Sequence, residues 1–195
     1  MSFDLLIKNG TVVDGSGGVP FRSDVGITEG RIVAIGRLSE RATHTIDAEG
    51  HVVTPGFVDG HTHMDAQIFW DPIGSCSCYH GVTSVIMGNC GFTLAPCAKA
   101  DADLVFRNLE RAEDLSRDAM LTGIDWTWET FPEYLNTLET LPKGINYGGY
   151  IGHSAIRTYV MGERAFSDEA TDDDIRKMRA LVKEGVSAGA RGFSS

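Results

Sequence analysis

The sequence predicts an α/β protein in which a small antiparallel β module, residues 1–54, precedes the opening βα units of a parallel sheet, residues 55–195. Three observations lead there. Up to Thr54, short apolar runs alternate with turn residues, the grammar of hairpins. From Pro55 onward, strands alternate with longer helical stretches, the pattern of βα units. The apolar run Val52, Val53, Phe57, Val58 also delivers two histidines, His61 and His63, to a strand end, and barrel enzymes gather their catalytic groups at the carboxyl ends of their strands.

The elements follow in order. Phe3 to Lys8 and Thr11 to Val13 read as strands around an Asn9-Gly10 turn, and Asp14-Gly15-Ser16-Gly17-Gly18 ends the pair. Val25 to Ile27 and Arg31 to Ile35 flank Glu29-Gly30 as a second hairpin, and Thr43 to Ile46 continues the pattern to Val53. Four strands are expected after that: Gly56 to His63, Thr83 to Asn89, Ile145 to Gly152, and one beginning near Ala190. Helices are expected over Ala102 to Leu115, where Leu104, Val105, Leu109 and Ala112 share a face, and over Phe131 to Leu141. Thr171 and Asp174 form a capping-box-like start. Ile175, Met178, Leu181 and Val182 supply the apolar face of that helix, and Gly189 its stop. The acidic run Asp172-Asp173-Asp174 suits a helix amino-terminus and lacks the alternating spacing of a calcium loop.

Composition narrows the function classes. The chain has 195 residues, 42% hydrophobic and 23% charged, which is ordinary globular composition. Its formal charge of -10 argues against nucleic acid or an anionic membrane surface as partner, because both would repel it. No apolar run reaches the roughly 20 residues that span a bilayer, and Met1-Ser2-Phe3-Asp4 lacks a secretory pattern, so the expectation is a cytoplasmic protein. In such a reducing setting the four cysteines, Cys76, Cys78, Cys90 and Cys97, are not expected to pair. Cys76-Ser77-Cys78 also has one spacer residue instead of the two to four of common structural zinc sites.

The chemistry concentrates in three side chains. In an extended strand His61 and His63 point the same way, close enough to share one cation. Cys90 sits between Gly88-Asn89 and Gly91, directly after the β run Ser84-Val85-Ile86-Met87, in a strand-end turn. Imidazole and thiolate are good zinc ligands, and zinc lowers the pKa of a bound water to about 7. Asp59 shares a face with the histidines and either orients a ligand or stabilises the turn. His153 follows the third strand and is read as a substrate contact or a structural residue; His44, His51 and His80 are assigned to structure or surface. Trp126, Trp128 and Phe131 read as packing residues.

Several stretches together carry a family resemblance. Lys8-Asn9-Gly10-Thr11-Val12-Val13-Asp14-Gly15, Gly30-Arg31-Ile32-Val33-Ala34-Ile35-Gly36 and Val53-Thr54-Pro55-Gly56-Phe57-Val58-Asp59-Gly60-His61-Thr62-His63 resemble the opening of the amidohydrolase superfamily. Asp65-Ala66-Gln67, Trp70-Asp71-Pro72, His80-Gly81-Val82-Thr83, Met87-Gly88-Asn89-Cys90-Gly91, Trp128 to Tyr134, Gly152-His153-Ser154-Ala155 and Gly189 to Ser194 are similar to the N-acyl-D-amino-acid deacylase, or D-aminoacylase, branch.

That resemblance implies the first half of a TIM-like (β/α)8 metal-dependent hydrolase barrel preceded by a small β-sandwich module. It implies zinc at the barrel mouth, with one tight site that uses Cys90 and a second, weaker site that uses His61 and His63. It implies hydrolysis of the acyl amide of an N-acyl-D-amino acid, a small-molecule substrate. The branch takes its general-base aspartate and two further histidines from later strands, so no catalytic residue is assigned here. A barrel of this kind takes about 250 residues. The part after Thr54 is therefore expected to need the missing half, or self-association, and to be inactive alone. Two alternatives stand beside this reading. One is a cyclic amidase of the hydantoinase or dihydroorotase kind, which would place a carboxylated lysine where this chain has Gly192-Phe193-Ser194-Ser195; the other is a non-catalytic scaffold or binding module.

Overall fold

The computed structural model describes residues 2–195, and the chain divides into two units between Gly56 and Phe57. The first unit is built on β1 (Phe3–Val12). β2 (Phe21–Thr28) pairs with it antiparallel, and β3 (Arg31–Gly36) pairs antiparallel with β2. Glu29 and Gly30 join those two strands with φ of 51° and 70°, the left-handed pair that a tight two-residue hairpin requires. Phe3, Leu6, Val12, Val25 and Ala48 form the buried side of this unit.

Two expectations are corrected here. Asn9-Gly10 is not a hairpin turn: β1 runs straight through it, with a register shift between Ile7 and Gly10. Asn9 adopts φ 62°, its backbone N–H donates to Asp24 Oδ1 (2.8 Å) and its amide to Asp47 Oδ1 (2.9 Å), so the extra residue is absorbed as a bulge. Nor is the module purely antiparallel. β4 (Ala42–Asp47) and β5 (Val52–Val53) both pair with β1 in parallel, giving a mixed sheet in the order β3-β2-β1-β4. The segment 37–41 is long enough to cross back over the sheet, and turn residues alone do not say which neighbour a strand will choose.

The second unit is parallel. β6 (Phe57–Asp59), β7 (Val82–Met87) and β8 (Asn146–Gly149) form one sheet with β7 at its centre. β9 (Ile151–Gly152) continues β8 past Tyr150 and pairs in parallel with β10 (Phe193–Ser194). The strand changes partner at that point: Tyr150 N–H donates to Met87 O (3.0 Å), whereas Ile151 N–H donates to Gly192 O (3.0 Å).

Helices fill the connections. α1 (Ser75–Cys78) is a single turn; α2 (Ala102–Glu113) and α3 (Arg117–Gly123) precede α4 (Phe131–Thr140); α5 (His153–Met161) and α6 (Asp172–Ala188) lie between β9 and β10. α2, α4 and α6 match the expected helices, and Thr171 with Asp174 forms the expected capping box. α5 went unforeseen because it starts directly from β9 with Gly152 at its cap and no side-chain cap to announce it. α3 is only seven residues long, with Ser116 accepting from Ala119 N–H (3.3 Å). None of the helices among the described residues is long and apolar enough to cross a membrane.

The core of this unit joins Met87 and Ile151 from the strands to Val105, Phe106 and Leu109 of α2, Phe131 and Tyr134 of α4, and Ile156 of α5. Each such side chain contributes about 1.5–3 kcal/mol on burial. Trp126 and Trp128 stack at 4.6 Å between ring centroids, and Trp128 Nε1 donates to Leu94 O (2.9 Å), so the tryptophans pack as the sequence suggests.

Candidate metal centre

The sequence places His61 and His63 on a strand, but β6 ends at Asp59. Asp59 Oδ1 accepts the His61 N–H (3.1 Å), a local turn that replaces the ladder and gives Asp59 its role. The chain nevertheless stays extended enough for Thr62 N–H (3.0 Å) and Thr62 Oγ1 (2.9 Å) to reach Ile86 O. Thr62 is therefore buried toward β7 while His61 and His63 turn the other way, which preserves the alternation that the strand reading requires.

Cys90 comes from the neighbouring strand end. Beyond β7 the chain makes a tight 3-10 turn, Asn89–Gly91, with Gly88, Cys90 and Gly91 all left-handed at φ of 78°, 53° and 79°. Gly88 is required on two counts. A side chain there would sit 2.6 Å from Tyr150 O and 2.7 Å from Thr93 Cγ2, and the φ itself disfavours one. The turn is held from every side. Gly88 N–H donates to Asp65 Oδ2 (2.9 Å), Asn89 Nδ2 donates to Thr62 O (3.2 Å) and Ile86 O (2.9 Å), and Ser194 Oγ donates to Gly88 O while accepting from Gly91 N–H (3.1 Å).

This framework brings the three predicted ligands together. Cys90 Sγ lies 3.3 Å from His61 Nε2, the two imidazole centroids are 5.4 Å apart, and one donor atom from each of the three residues falls within 4.8 Å of the others. Tetrahedral zinc, with Zn–N near 2.0–2.1 Å and Zn–S near 2.3 Å, sets neighbouring donors roughly 3.5 Å apart. His63 Nδ1 is buried and has no hydrogen-bond partner among the described residues. Donor chemistry, spacing and an unsatisfied nitrogen all suit a small, borderline-soft cation.

Other ionisable groups of the chain have settled surroundings. Asp65 is fully buried, and that burial pushes its carboxyl up to about 7. Tyr134 Oη donates to the Asp65 carbonyl (3.2 Å) and is likewise raised by burial. His153 is the exposed first residue of α5, with its ring 6.3 Å from that of Phe193. His80 Nδ1 contacts Cys76 O (2.8 Å), and His51 Nδ1 contacts Glu49 O (3.0 Å). Burial pushes the Cys97 thiol up to about 12, which makes it an inert core residue. One residue near the site escaped the sequence reading. Glu113 Oε2, at the end of α2, stands 3.4 Å from His63 Nε2. Its signal was a carboxylate four residues beyond Leu109 and seven beyond Phe106, on the stripe that α2 buries.

Comparison with known proteins places this arrangement. The sequence profile of the amidohydrolase family matches residues 44–195. The chain belongs to the amidohydrolase family. Among amidohydrolases it is 38% identical over 194 residues to the D-aminoacylase of Alcaligenes xylosoxydans xylosoxydans, covering 99% of this chain and 37% of that protein. It is 34% identical over 193 residues to the N-acyl-D-aspartate deacylase of the same organism, covering 98% and 36%. A solved N-acyl-D-glutamate deacylase from Bordetella bronchiseptica, complexed with zinc and a phosphonate inhibitor that mimics the tetrahedral intermediate, superposes with TM-score 0.83 at 30% identity, covering 100% of this chain and 38% of that one. A D-aminoacylase structure described as having a binuclear metal centre superposes with TM-score 0.82 at 35% identity, covering 99% and 38%. The amidohydrolase described here thus spans under two-fifths of the length of these relatives.

Proposed function

We propose that this chain carries the metal-gripping strand ends of a zinc-dependent enzyme that hydrolyses the acyl amide bond of N-acyl-D-amino acids. The observation that carries the reading is the convergence of His61, His63 and Cys90 at the ends of β6 and β7, in a chain whose relatives are deacylases of that substrate class. The same reading makes β6 to β10 the opening strands of a (β/α)8 barrel; their parallel pairing in chain order, with helical connections, supports it.

His61, His63 and Cys90 would hold the metal, and zinc there would supply Lewis acidity toward a water molecule and the scissile carbonyl. The protein's own part is positional. Asp59 fixes the turn at His61, and Asp65, Asn89 and Ser194 fix the turn at Cys90. Every carboxylate described beside the site is engaged: Asp59 with the His61 N–H, Asp65 with the Gly88 N–H, and Glu113 with His63. The finer part of the reading is that these 195 residues grip metal without turning substrate over. Ser194 bonds both Gly88 and Gly91, so the fourth strand end serves the Cys90 turn, and this favours the linear-amide reading over a cyclic amidase.

Metal content of the purified chain is the test. The wild type should carry zinc, and Cys90→Ser and His61→Ala should each lose it; a metal-free wild type after zinc loading would overturn the assignment. Assay of the chain against paired N-acyl-D- and N-acyl-L-amino acids examines the finer point. Turnover by the isolated chain would refute its dependence on further groups, and a preference for the L-series would refute the substrate class.

A further inference from the structure

We propose that Asn89 is a positioning residue that clasps the two ligand-bearing arms of the site together. Its side-chain amide ties the backbone between His61 and His63 to the strand end that carries Cys90, so their spacing is set before any metal arrives. The inference rests on the metal reading above and deepens it, because it assigns the spacing of the ligands to a residue that is not itself one.

The two arms leave the sheet before they reach the site. Ladder pairing between β6 and β7 ends with Asp59 opposite Val85, and Cys90 lies in the turn beyond Met87, the last residue of β7. Thr62 and Asn89 take over from the ladder. Thr62 N–H (3.0 Å) and Thr62 Oγ1 (2.9 Å) donate to Ile86 O, and Asn89 Nδ2 donates both to that oxygen (2.9 Å) and to Thr62 O (3.2 Å). A primary amide carries two N–H donors, so one nitrogen serves both carbonyls. The circuit through Ile86, Thr62 and Asn89 is closed.

The clasp grips the chain beside all three ligands. The Thr62 N–H belongs to the peptide group that joins it to His61, and the Thr62 carbonyl to the group that joins it to His63. Both histidines are thus held through their own backbone, while Asn89 directly precedes Cys90. A role confined to the turn does not account for this. The bond to Ile86 O, three residues back, holds the turn locally; the bond to Thr62 O crosses 27 residues of chain to the other arm. Thr62 and Asn89 are both buried, where donors and acceptors left unpaired are costly, so the circuit resists opening. Supporting contacts that hold ligands in the productive geometry raise metal affinity, because less ordering is left for binding to impose.

Two measurements on the chain examine the clasp: backbone hydrogen exchange without metal, resolved by NMR, and zinc affinity, read by competition with a chromophoric chelator. In the metal-free wild type the Thr62 amide should be protected. Asn89→Ala should speed its exchange about tenfold or more, while the Ile151 amide, bonded to Gly192 O in the same unit, keeps its protection. Zinc affinity should fall about 10–100-fold. Thr62→Val, which removes only the hydroxyl bond, should move both readouts the same way and less far; it carries the test should Asn89→Ala not fold. If Asn89→Ala frees the Cys90 and Gly91 amides but leaves Thr62 protected, the residue serves its own turn alone and the proposal is overturned. So it is by a Thr62 amide unprotected in the wild type, or by unchanged zinc affinity in both variants of a chain that binds zinc. A wild type that binds no zinc, yet loosens at Thr62 in Asn89→Ala, would instead overturn the metal assignment and uphold the clasp.

Discussion

Replacing Gly88 with alanine puts the Cys90 turn under direct strain. At φ 78° an L-residue costs about 1–2 kcal/mol relative to glycine. The added methyl would also lie 2.6 Å from Tyr150 O and 2.7 Å from Thr93 Cγ2. The first of these is backbone and cannot rotate away, so the overlap adds about 1–3 kcal/mol. The sum, about 2–5 kcal/mol, is a large part of the 5–15 kcal/mol that holds a typical domain. Gly81→Ala isolates the backbone cost. It shares a positive φ of 84°, yet its nearest neighbour is the exposed Phe57 ring at 3.3 Å, which can move. Urea unfolding followed by the fluorescence of buried Trp126 and Trp128 measures both variants in the unit that holds the site. Gly88→Ala should be the less stable by about 1–3 kcal/mol. It should also bind zinc more weakly, since the displaced turn carries Cys90. Equal stability of the two variants would refute the close-packing argument, and unchanged zinc affinity would refute the link between this turn and the metal.

The remaining expectations concern the same framework. At pH 8 a soluble thiol reagent should label exposed Cys76 and Cys90 quickly and Cys97 only on unfolding, because burial holds the Cys97 thiol near 12; bound zinc should protect Cys90 but not Cys76, as peptide mapping would show. Ser194→Ala removes both bonds from the fourth strand end to the Cys90 turn and should cost about 1–3 kcal/mol in urea unfolding, with weaker zinc binding. Thr171→Ala should destabilise by about 1 kcal/mol through loss of the α6 cap. Asp174 is held below the usual carboxylate range, first by the Thr171 backbone N–H and then by its hydroxyl. Its contribution is therefore complete above the ordinary value near 3.8 and is lost as acid protonates it, and Thr171→Ala should make that acid limb of the stability curve shallower.

The amino-acid sequence determined much of this protein by itself, wherever the relevant physics is local. Helical periodicity placed α2, α4 and α6, a cap placed the start of α6, and glycines around Cys90 marked a turn that only small residues can make. The His61, His63 and Cys90 set was legible because its residue types and strand-end positions are themselves the signal of metal chemistry. The tertiary structure decided what depends on partners remote in the chain. It turned Asn9-Gly10 into a bulge by offering Asp24 and Asp47 as acceptors, and it set β4 and β5 parallel to β1, a choice of neighbour that no turn residue encodes. It brought Glu113 from fifty residues away to His63, and Ser194 from a hundred and more to the turn at Cys90. Spacing along a chain records which face a side chain takes, but a hydrogen bond or ion pair between distant segments exists only once packing has fixed both ends.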